Sequence, residues 1–521
     1  MNFCSMVWLK KRRSGVLLHL SALPSCQGIG NLGSSSRRFL NFLNSIGSTY
    51  WQICPIGPTG YGNSPYSSLS AFAGNSSLLD FEFLCQHGLL HPDDLNVLNQ
   101  FPKDKVDHQG LEVVVNSLLR KAFDVFIEEN CTSLDDTYTY DAFKSESAYW
   151  LNDYALYRAF KIRFDHLPWY EWPQSYRLIT DARNQPLSEK DTYYVQFHSF
   201  QQYLFSIQWK KLVSDASKLG IQIIGDSPIF VSHDSADVWA NPEIFSLDST
   251  GQVVFRAGVP PDYFSEKGQL WGNPVYKWDV LKDSDYKWWM DRLKHDLGRY
   301  SVLRLDHFRA FHNYWSIPAD APDACTGTWE PGPGLPFFRK LQEIVPEPRI
   351  IAEDLGEMIP EVYALRDAAG FPGMKVLQFA FFGDTSNPHL PHNYSTANCV
   401  VFPGTHDNNT SIGWYKEVPE PVRDNYRRYL SVDGSSPSWD LVRAASASVA
   451  RIALYPLQDL LCLDESARFN TPGVAEGNWS WRVTDAQLDK LEAESSDYMR
   501  EITRMHGRLP SSEPADTQKQ D

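Results

Sequence analysis

The middle of the chain alternates amphipathic helical segments with short, continuously apolar runs. The segment "DYKWWMDRLKHDLG" precedes "SVLRLDHF", "LPFFRKLQEIVP" precedes "RIIAEDLG", and "IPEVYALRDAAG" precedes "MKVLQFAFF". Each helical segment ends near Gly or Pro, and each apolar run lacks the polar alternation of a half-exposed strand. Such runs are typical of strands buried on both faces of a parallel sheet.

The same pattern predicts eight strands in all. The others lie within "GVLLHL", "STYWQICPIG", "IQIIGDSPIF", "ANCVVFPGTHD" and "ALYPLQDLLCL". Eight β/α units predict an α/β protein with a (β/α)8 TIM barrel, whose active site lies at the C-terminal ends of the strands. A doubly wound open sheet is the alternative, but no G-x-G-x-x-G follows any of these strands.

The strand pattern stops between the second and third strands. There, "GLEVVVNSLLRKAFDVFIEE" and "SAYWLNDYALYRAFKIRF" have the spacing of amphipathic helices. We therefore predict a catalytic barrel formed by residues 1–80 and 200–510, a mainly helical insertion at 81–199 and a polar tail at 511–521.

Composition narrows the range of partners and locations. The 521 residues carry a formal net charge of −16, which argues against nucleic acid as a partner. Aromatic residues make up 14 %, and aromatic side chains without basic patches suit a neutral ligand such as a sugar. No stretch of about 20 apolar residues is present, so no membrane span is expected.

The cysteines and the N-terminal segment point to a cytoplasmic protein. The 8 Cys are scattered, with no C-x-x-C pair, as expected for reduced thiols. The segment "LKKRRSGVLLHLSALPS" begins like a secretory signal, but its apolar run is short, contains His19 and lacks a clear cleavage site. We interpret it as the first buried strand. No metal-ligand cluster or nucleotide motif is visible, so no cofactor and no metal are expected.

Four acids stand at the ends of predicted strands. Such an acid is often only a helix N-cap, but four together favour a site, because the ends of barrel strands converge on one mouth. Arg304 has the same strand parity as one of them, and His406 immediately precedes another. The four acids are Asp226, Asp306, Glu353 and Asp407.

Two carboxyl groups with separated pKa values are what glycoside chemistry requires. One attacks the anomeric carbon as a carboxylate, and the other donates a proton to the leaving oxygen. A buried Arg304 beside Asp306 would keep that acid anionic, as a nucleophile needs to be. Glu353 follows the apolar run "RIIA", which could raise its pKa and suit it to acid/base catalysis.

Several segments resemble the 4-α-glucanotransferases, the amylomaltases or disproportionating enzymes of glycoside hydrolase family 77. They are "GYGNSPYSSLSAFAGNSSLLD", "GDSPIFVSHDSADVW", "GVPPDYFSEKGQLWGNPVYKW", "SVLRLDHFRAF", "RIIAEDLG", "VVFPGTHDNNTSIGWY" and "TPGVAEGNWSWR". The resemblance spans residues 14 to about 482. It implies an enzyme that moves α-1,4-glucan segments to glucose, maltooligosaccharides or other glucans through a covalent glycosyl-aspartate.

The resemblance also implies roles for individual residues. Asp306 matches the nucleophile, Glu353 the acid/base and Asp407 a third acid that binds glucose hydroxyls. Other matched positions are expected to bind substrate. They are Arg304 and His406 at the cleavage point, Asp226 as a glucose-binding acid, Tyr66 as an acceptor-stacking ring, and Asp262, Gln269 and Trp271 in a flexible loop over the glucan.

Two other functions remain open at this point. An amylase-type hydrolase of α-1,4-glucans would use the same acids with water as acceptor, but amylases usually carry a C-terminal β-sandwich domain. Only about 114 residues follow Asp407, mostly needed to finish the barrel, so no such domain is expected. A non-catalytic glucan-binding protein would normally have lost one of the acids. The oligomeric state is not determined by the sequence.

Overall fold

Parallel strands arranged as a barrel form the centre of the protein. The computed structural model describes residues 7–261, 266–356, 358–474 and 476–510. In that part of the chain the strands, numbered in chain order, are β1 Arg13–Leu17, β2 Tyr50–Gln52, β3 Gln222–Pro228, β4 Phe255–Val259, β5 Gln269–Pro274, β6 Val302–Asp306, β7 Asn313–Pro318, β8 Thr328–Pro331, β9 Ile350–Ala352, β10 Gly373–Val376, β11 Cys399–Phe402 and β12 Ile452–Pro456.

Eight of these strands make one parallel sheet with the order β10-β11-β12-β1-β2-β3-β6-β9. The first and last strands of this order also approach each other, since the backbone N–H of Ala352 donates to the Pro372 carbonyl at 2.9 Å. The backbone N–H of Met374 donates to the Asp354 carboxylate at 2.7 Å across the same seam. The sheet is thus a nearly closed (β/α)8 barrel, as predicted from the eight apolar runs.

The strands are buried on both faces because side chains of opposite parity enter two different cores. The interior of the barrel holds large apolar side chains such as Ile224, Val302, Ile351 and Phe402. Side chains of the other parity, such as Ile223 and Leu303, pack against the surrounding helices. This double burial explains why the runs are continuously apolar.

Helices surround the barrel and fill the connection between β2 and β3. The α-helices of the described residues are Ser34–Ser45, Phe81–Gln86, His108–Glu128, Tyr140–Arg163, Gln174–Arg177, Ile179–Ala182, Glu189–Lys218, Ala236–Ala240, Trp278–Asp283, Lys287–Arg299, Gly334–Ile344, Pro360–Ala369, Ser411–Glu417, Glu420–Leu430, Pro437–Ala447, Leu457–Leu460 and Asp485–Met505. The predicted division between residues 199 and 200 stays a prediction, and it falls within the helix Glu189–Lys218. No described helix is both long and apolar enough to cross a membrane.

A second sheet, which the sequence analysis did not predict, lies in the connections that follow β3 and β6. It is antiparallel and has the order β5-β4-β7-β8. Gln269 and Trp271 lie on β5, which pairs with β4, so the expectation that both residues belong to a loop is wrong. Gly and Pro in and beside these short strands mimic the composition of a loop, which is the reason for the error.

Candidate active site

Arg304 joins two of the predicted acids inside the barrel. It lies on β6, directly opposite Asp226 on β3, and all three side chains point to one side of the sheet. Its Nη1 donates to the Asp226 carboxylate at 2.8 and 2.7 Å and lies 2.9 Å from Oδ1 of Asp306. Arg304 and Asp226 are almost fully buried, whereas the Asp306 side chain is 27 % exposed. Asp306 is thus held in place by a buried cation and is accessible from the barrel mouth.

Glu353 lies just after β9 and is anchored by backbone N–H groups. Its Oε2 accepts from the N–H of His307 at 2.7 Å, and its Oε1 accepts from the N–H of Leu355 at 2.7 Å. His307 has a left-handed backbone with φ of 51°, which ends β6 and turns that N–H toward Glu353. Burial raises the pKa of Glu353 to about 7, with Arg304 opposing the rise and Asp306 adding to it. Glu353 can therefore hold a proton near neutral pH.

Asp407 and His406 form an ion pair in the loop after β11. His406 Nε2 lies 3.2 Å from Oδ2 of Asp407. Burial alone would raise the pKa of Asp407, but the charge of His406 and hydrogen bonds from His406 and Asn470 lower it below the usual range. Burial lowers the pKa of His406, but the charge of Asp407 and its hydrogen bond outweigh that effect, so the pKa of His406 is raised. Asp407 is ionised at neutral pH.

Tyr66 connects the two halves of this cluster. Its hydroxyl donates to Oδ2 of Asp226 at 2.8 Å, and its ring stacks on His406 with centroids 5.0 Å apart. Burial raises the pKa of Asp226 to about 6, with Arg304 opposing the rise. A chain of direct contacts thus runs from Asp306 through Arg304, Asp226 and Tyr66 to His406.

The second sheet brings an aromatic ring to the edge of the cluster. Trp271 is 38 % exposed, and its ring makes a T-shaped contact with the His307 ring, with centroids 4.9 Å apart. Its Nε1 donates to Oε1 of Gln269 at 3.1 Å. Asp262, the third residue predicted for this region, lies outside the described residues. Trp271 therefore contacts the residue that directly follows Asp306 in the chain.

Sequence reasoning missed two residues that hold Asp407. Nδ2 of Asn470 donates to Oδ1 of Asp407 at 2.6 Å, and Nη2 of Arg468 donates to the Asp407 carbonyl at 2.9 Å. Both lie in an irregular segment well beyond β12, where no strand end marks them. The only available signal was their position just before "TPGVAEGNW". Among the described residues, no group of three or more His, Cys, Asp and Glu is arranged to hold a metal ion.

The chemistry available at this mouth is that of paired carboxyl groups. One acid, Glu353, holds a proton near neutral pH and is buried, while Asp306 and Asp407 are more exposed and have cationic partners. Such a division between carboxyl groups is characteristic of enzymes that cleave and form glycosidic bonds. Fold and site together define the class as a barrel enzyme acting on glycosides.

Comparison with known proteins identifies the family. Residues 18–488 match the family model described as 4-alpha-glucanotransferase, and the chain belongs to that family. The chain is 46 % identical to the 4-alpha-glucanotransferase of Thermus thermophilus over 92 % of its own length and 96 % of the relative. It is 38 % identical to a chloroplastic/amyloplastic 4-alpha-glucanotransferase of Solanum tuberosum over 96 % of its length and 88 % of the relative.

A solved structure shows the same fold. The amylomaltase from Streptococcus agalactiae, determined in complex with acarbose, superposes with a TM-score of 0.90 at 36 % identity. The match covers 96 % of this chain and 100 % of the amylomaltase. The resemblance recognised from sequence motifs is therefore confirmed, and the protein is an enzyme of the glycosyltransferase type.

Proposed function

We propose that Asp306 is the nucleophile and Glu353 the acid/base of a retaining 4-α-glucanotransferase. The observation that carries this assignment is the pairing of a buried, proton-holding Glu353 with an accessible Asp306. The backbone N–H next to Asp306, that of His307, donates to Glu353, so the two acids flank one point of the barrel mouth. We expect their carboxyl groups to lie about 5 to 6 Å apart, as in retaining enzymes.

The reaction would proceed by two displacements at the anomeric carbon. In the first, an Asp306 oxygen bonds to C1 of the sugar while the glycosidic C1–O bond breaks, and the Glu353 proton passes to the departing oxygen. In the second, ionised Glu353 takes the proton of an acceptor hydroxyl, the acceptor oxygen bonds to C1, and Asp306 is released. Glu353 thus ends with its proton restored.

The supporting residues would bind the sugar around this point. Asp407, kept ionised by His406, would accept hydrogen bonds from glucose hydroxyls and stabilise positive charge at the anomeric centre. Arg304 would hold Asp306 in the attacking position. Asp226 was expected to bind glucose, but its side chain is fully buried against Arg304 and Tyr66, so it would act through those two residues. These roles are supported by the contact chain described above.

The acceptor distinguishes a transferase from a hydrolase. Water at about 55 M competes with acceptor sugar at millimolar levels, so transfer requires a bound acceptor with a high effective concentration. Tyr66 and Trp271 offer aromatic faces beside the acids for such binding, and exclusion of water by the bound glucan would help further. Gln269, and Asp262 in the same segment, would contact the glucan next to Trp271.

We propose α-1,4-glucans and maltooligosaccharides as donors, and glucose as a good acceptor. The acarbose complex of the Streptococcus agalactiae amylomaltase supports a maltooligosaccharide-like ligand. The decisive experiment is chromatography of the products of purified protein with maltotriose. Glucose together with chains longer than maltotriose indicates transfer, whereas only glucose and maltose would indicate a hydrolase. No conversion at all would favour a non-catalytic glucan-binding protein.

We further propose that the enzyme acts in the cytoplasm and has no nucleic-acid partner. All seven cysteines of the described residues are unpaired thiols, which suits a reducing compartment. The formal net charge of −16 disfavours association with a polyanion. Cell fractionation followed by the maltotriose assay tests the location.

A further inference from the structure

A small cavity lies beside His406. Its volume is about 20 Å³, and its walls include Leu18, His19, Cys54, His406 and Phe469. The acids Asp226, Asp306 and Glu353 do not line it. A water molecule requires at least ~10–15 Å³ of such space and two or more polar partners. The cavity has room for a single water if it offers those partners.

Two histidine nitrogens of this cavity wall lack partners. The Nδ1 atoms of His19 and His406 are both buried and have no hydrogen-bond partner among the residues that the structure describes. His19 is 7 % and His406 is 6 % exposed, so bulk water does not reach them. Buried polar atoms in native proteins are nearly always paired, with water where protein groups are missing. The cavity is the place where such a water can reach both rings.

The two nitrogens also have complementary hydrogen-bonding character. The charge of Asp407 and its hydrogen bond raise the pKa of His406 despite burial and so favour the imidazolium form, which has an N–H at Nδ1. Burial lowers the pKa of His19 to about 3, so this ring is neutral. A neutral imidazole has a lone pair on one ring nitrogen, and the unpartnered, buried Nδ1 of His19 can be that nitrogen. One side offers a donor and the other an acceptor.

We propose that one water molecule in this cavity accepts the Nδ1–H of His406 and donates to Nδ1 of His19. His19 is thereby a positioning residue: it acts through the water to hold His406 in its protonated form against Asp407. This inference rests on the proposed role of Asp407 in binding glucose hydroxyls. It assigns a function to His19, a buried polar residue in the connection that follows β1.

No described protein group accepts from Nδ1 of His406 directly. Asp407 and Asp226 favour its proton, and Arg304 opposes it. Tyr66 covers one face of the ring and offers no acceptor to Nδ1. Arg468 also lines the cavity, but as a cation it can only donate. Loss of the His19 acceptor should therefore lower the pKa of His406.

Binding of maltotriose as a function of pH tests the inference. The Glu353→Gln background is used because it removes both turnover and the titration of Glu353. In that background, His19→Leu should move the pH at which affinity falls toward acid by about one unit. Binding should be about threefold weaker midway between the two midpoints, and the loss should approach about tenfold well above both. His19→Asn, whose amide oxygen can occupy the position of Nδ1, should restore the original midpoint.

A matched control is His198→Leu, which removes another buried histidine far along the chain, in the helix Glu189–Lys218. This control should leave the midpoint unchanged. An unchanged midpoint in His19→Leu would overturn the inference, and so would a shift that His19→Asn fails to reverse.

A high-resolution crystal structure of the wild-type protein provides a second test that does not depend on any variant folding. It should show one water peak within hydrogen-bond distance of both Nδ1 atoms, and a dry cavity would overturn the inference. Transfer by the wild-type protein on maltotriose tests the proposed function separately, so failure of one does not imply failure of the other.

Discussion

Glu353→Gln should inactivate the enzyme and also make its folded state less sensitive to alkaline pH. Burial raises the pKa of Glu353 from 4.5 to about 7, so over much of the neutral range the folded protein retains a proton that the unfolded chain has released. Rising pH therefore favours unfolding between those two values. Glutamine does not titrate, so the variant does not lose stability in this way as the pH rises.

The size of the effect follows from the pKa difference. A shift of about 2.5 units corresponds to roughly 3 kcal/mol once the pH exceeds both values, and to about 2.5 kcal/mol gained between pH 5 and pH 8. With ~2.1 cal/mol/K of unfolding entropy per residue, a chain of 521 residues has an unfolding entropy of about 1 kcal/mol/K. The difference in Tm between variant and wild type should thus grow by about 2 to 3 °C from pH 5 to pH 8.

Thermal unfolding of both proteins at pH 5 and pH 8, at one scan rate, provides the assay. The amide loses one of the two N–H hydrogen bonds of Glu353, but that cost is the same at both pH values and cancels in the comparison. The control is Glu112→Gln, which changes an exposed acid on the helix His108–Glu128. Its difference in Tm from the wild type should be the same at both pH values. Equal Tm differences for Glu353→Gln at the two pH values would refute the raised pKa. Retention of near-normal turnover would refute the acid/base role.

Three further predictions concern the chemistry. Asp306→Asn should abolish transfer from maltotriose, because no glycosyl-enzyme can form; near-normal turnover in a folded variant would contradict the nucleophile assignment. Tyr66→Ala or Trp271→Ala should cut transfer or shift products toward hydrolysis, measured as reducing ends released per chain redistributed, whereas Tyr66→Phe should keep the ring and most of the transfer. Dialysis against a chelator should leave activity intact, and loss of activity that calcium restores would show that the expectation of no metal is wrong.

The barrel was predictable because each of its strands carries its own signal. A strand such as β11 is buried by the barrel interior on one face and by helices on the other, so its residues are apolar regardless of parity. The antiparallel sheet formed by β4, β5, β7 and β8 lacks that signal. Strand β8, for example, is exposed throughout, and its pairing with β7 is a long-range contact that local composition does not encode.

The candidate site was predictable to the extent that it lies at strand ends. Asp226, Asp306, Glu353 and Asp407 come together because parallel strands bring their C-terminal ends to one mouth. Asn470, which donates to Asp407, arrives from a segment with no regular structure, and nothing in its spacing indicates where that segment folds. The raised pKa of Glu353 was expected from the preceding apolar run, but its two N–H donors depend on the left-handed turn at His307.

Strand parity alone could not predict which carboxylates pair with Arg304. Equal parity with Asp306 on β6 suggested a buried pair of the two, which would be expensive without further partners. The register of β6 with β3 places Asp226 directly opposite, and Arg304 contacts both oxygens of that carboxylate, at 2.8 and 2.7 Å, in addition to Asp306. The buried charge of Arg304 is therefore offset mainly by Asp226, which Tyr66 also binds. Asp306 contacts Arg304 through its Oδ1 at 2.9 Å, and its side chain stays partly exposed at the barrel mouth, as an attacking carboxylate must be.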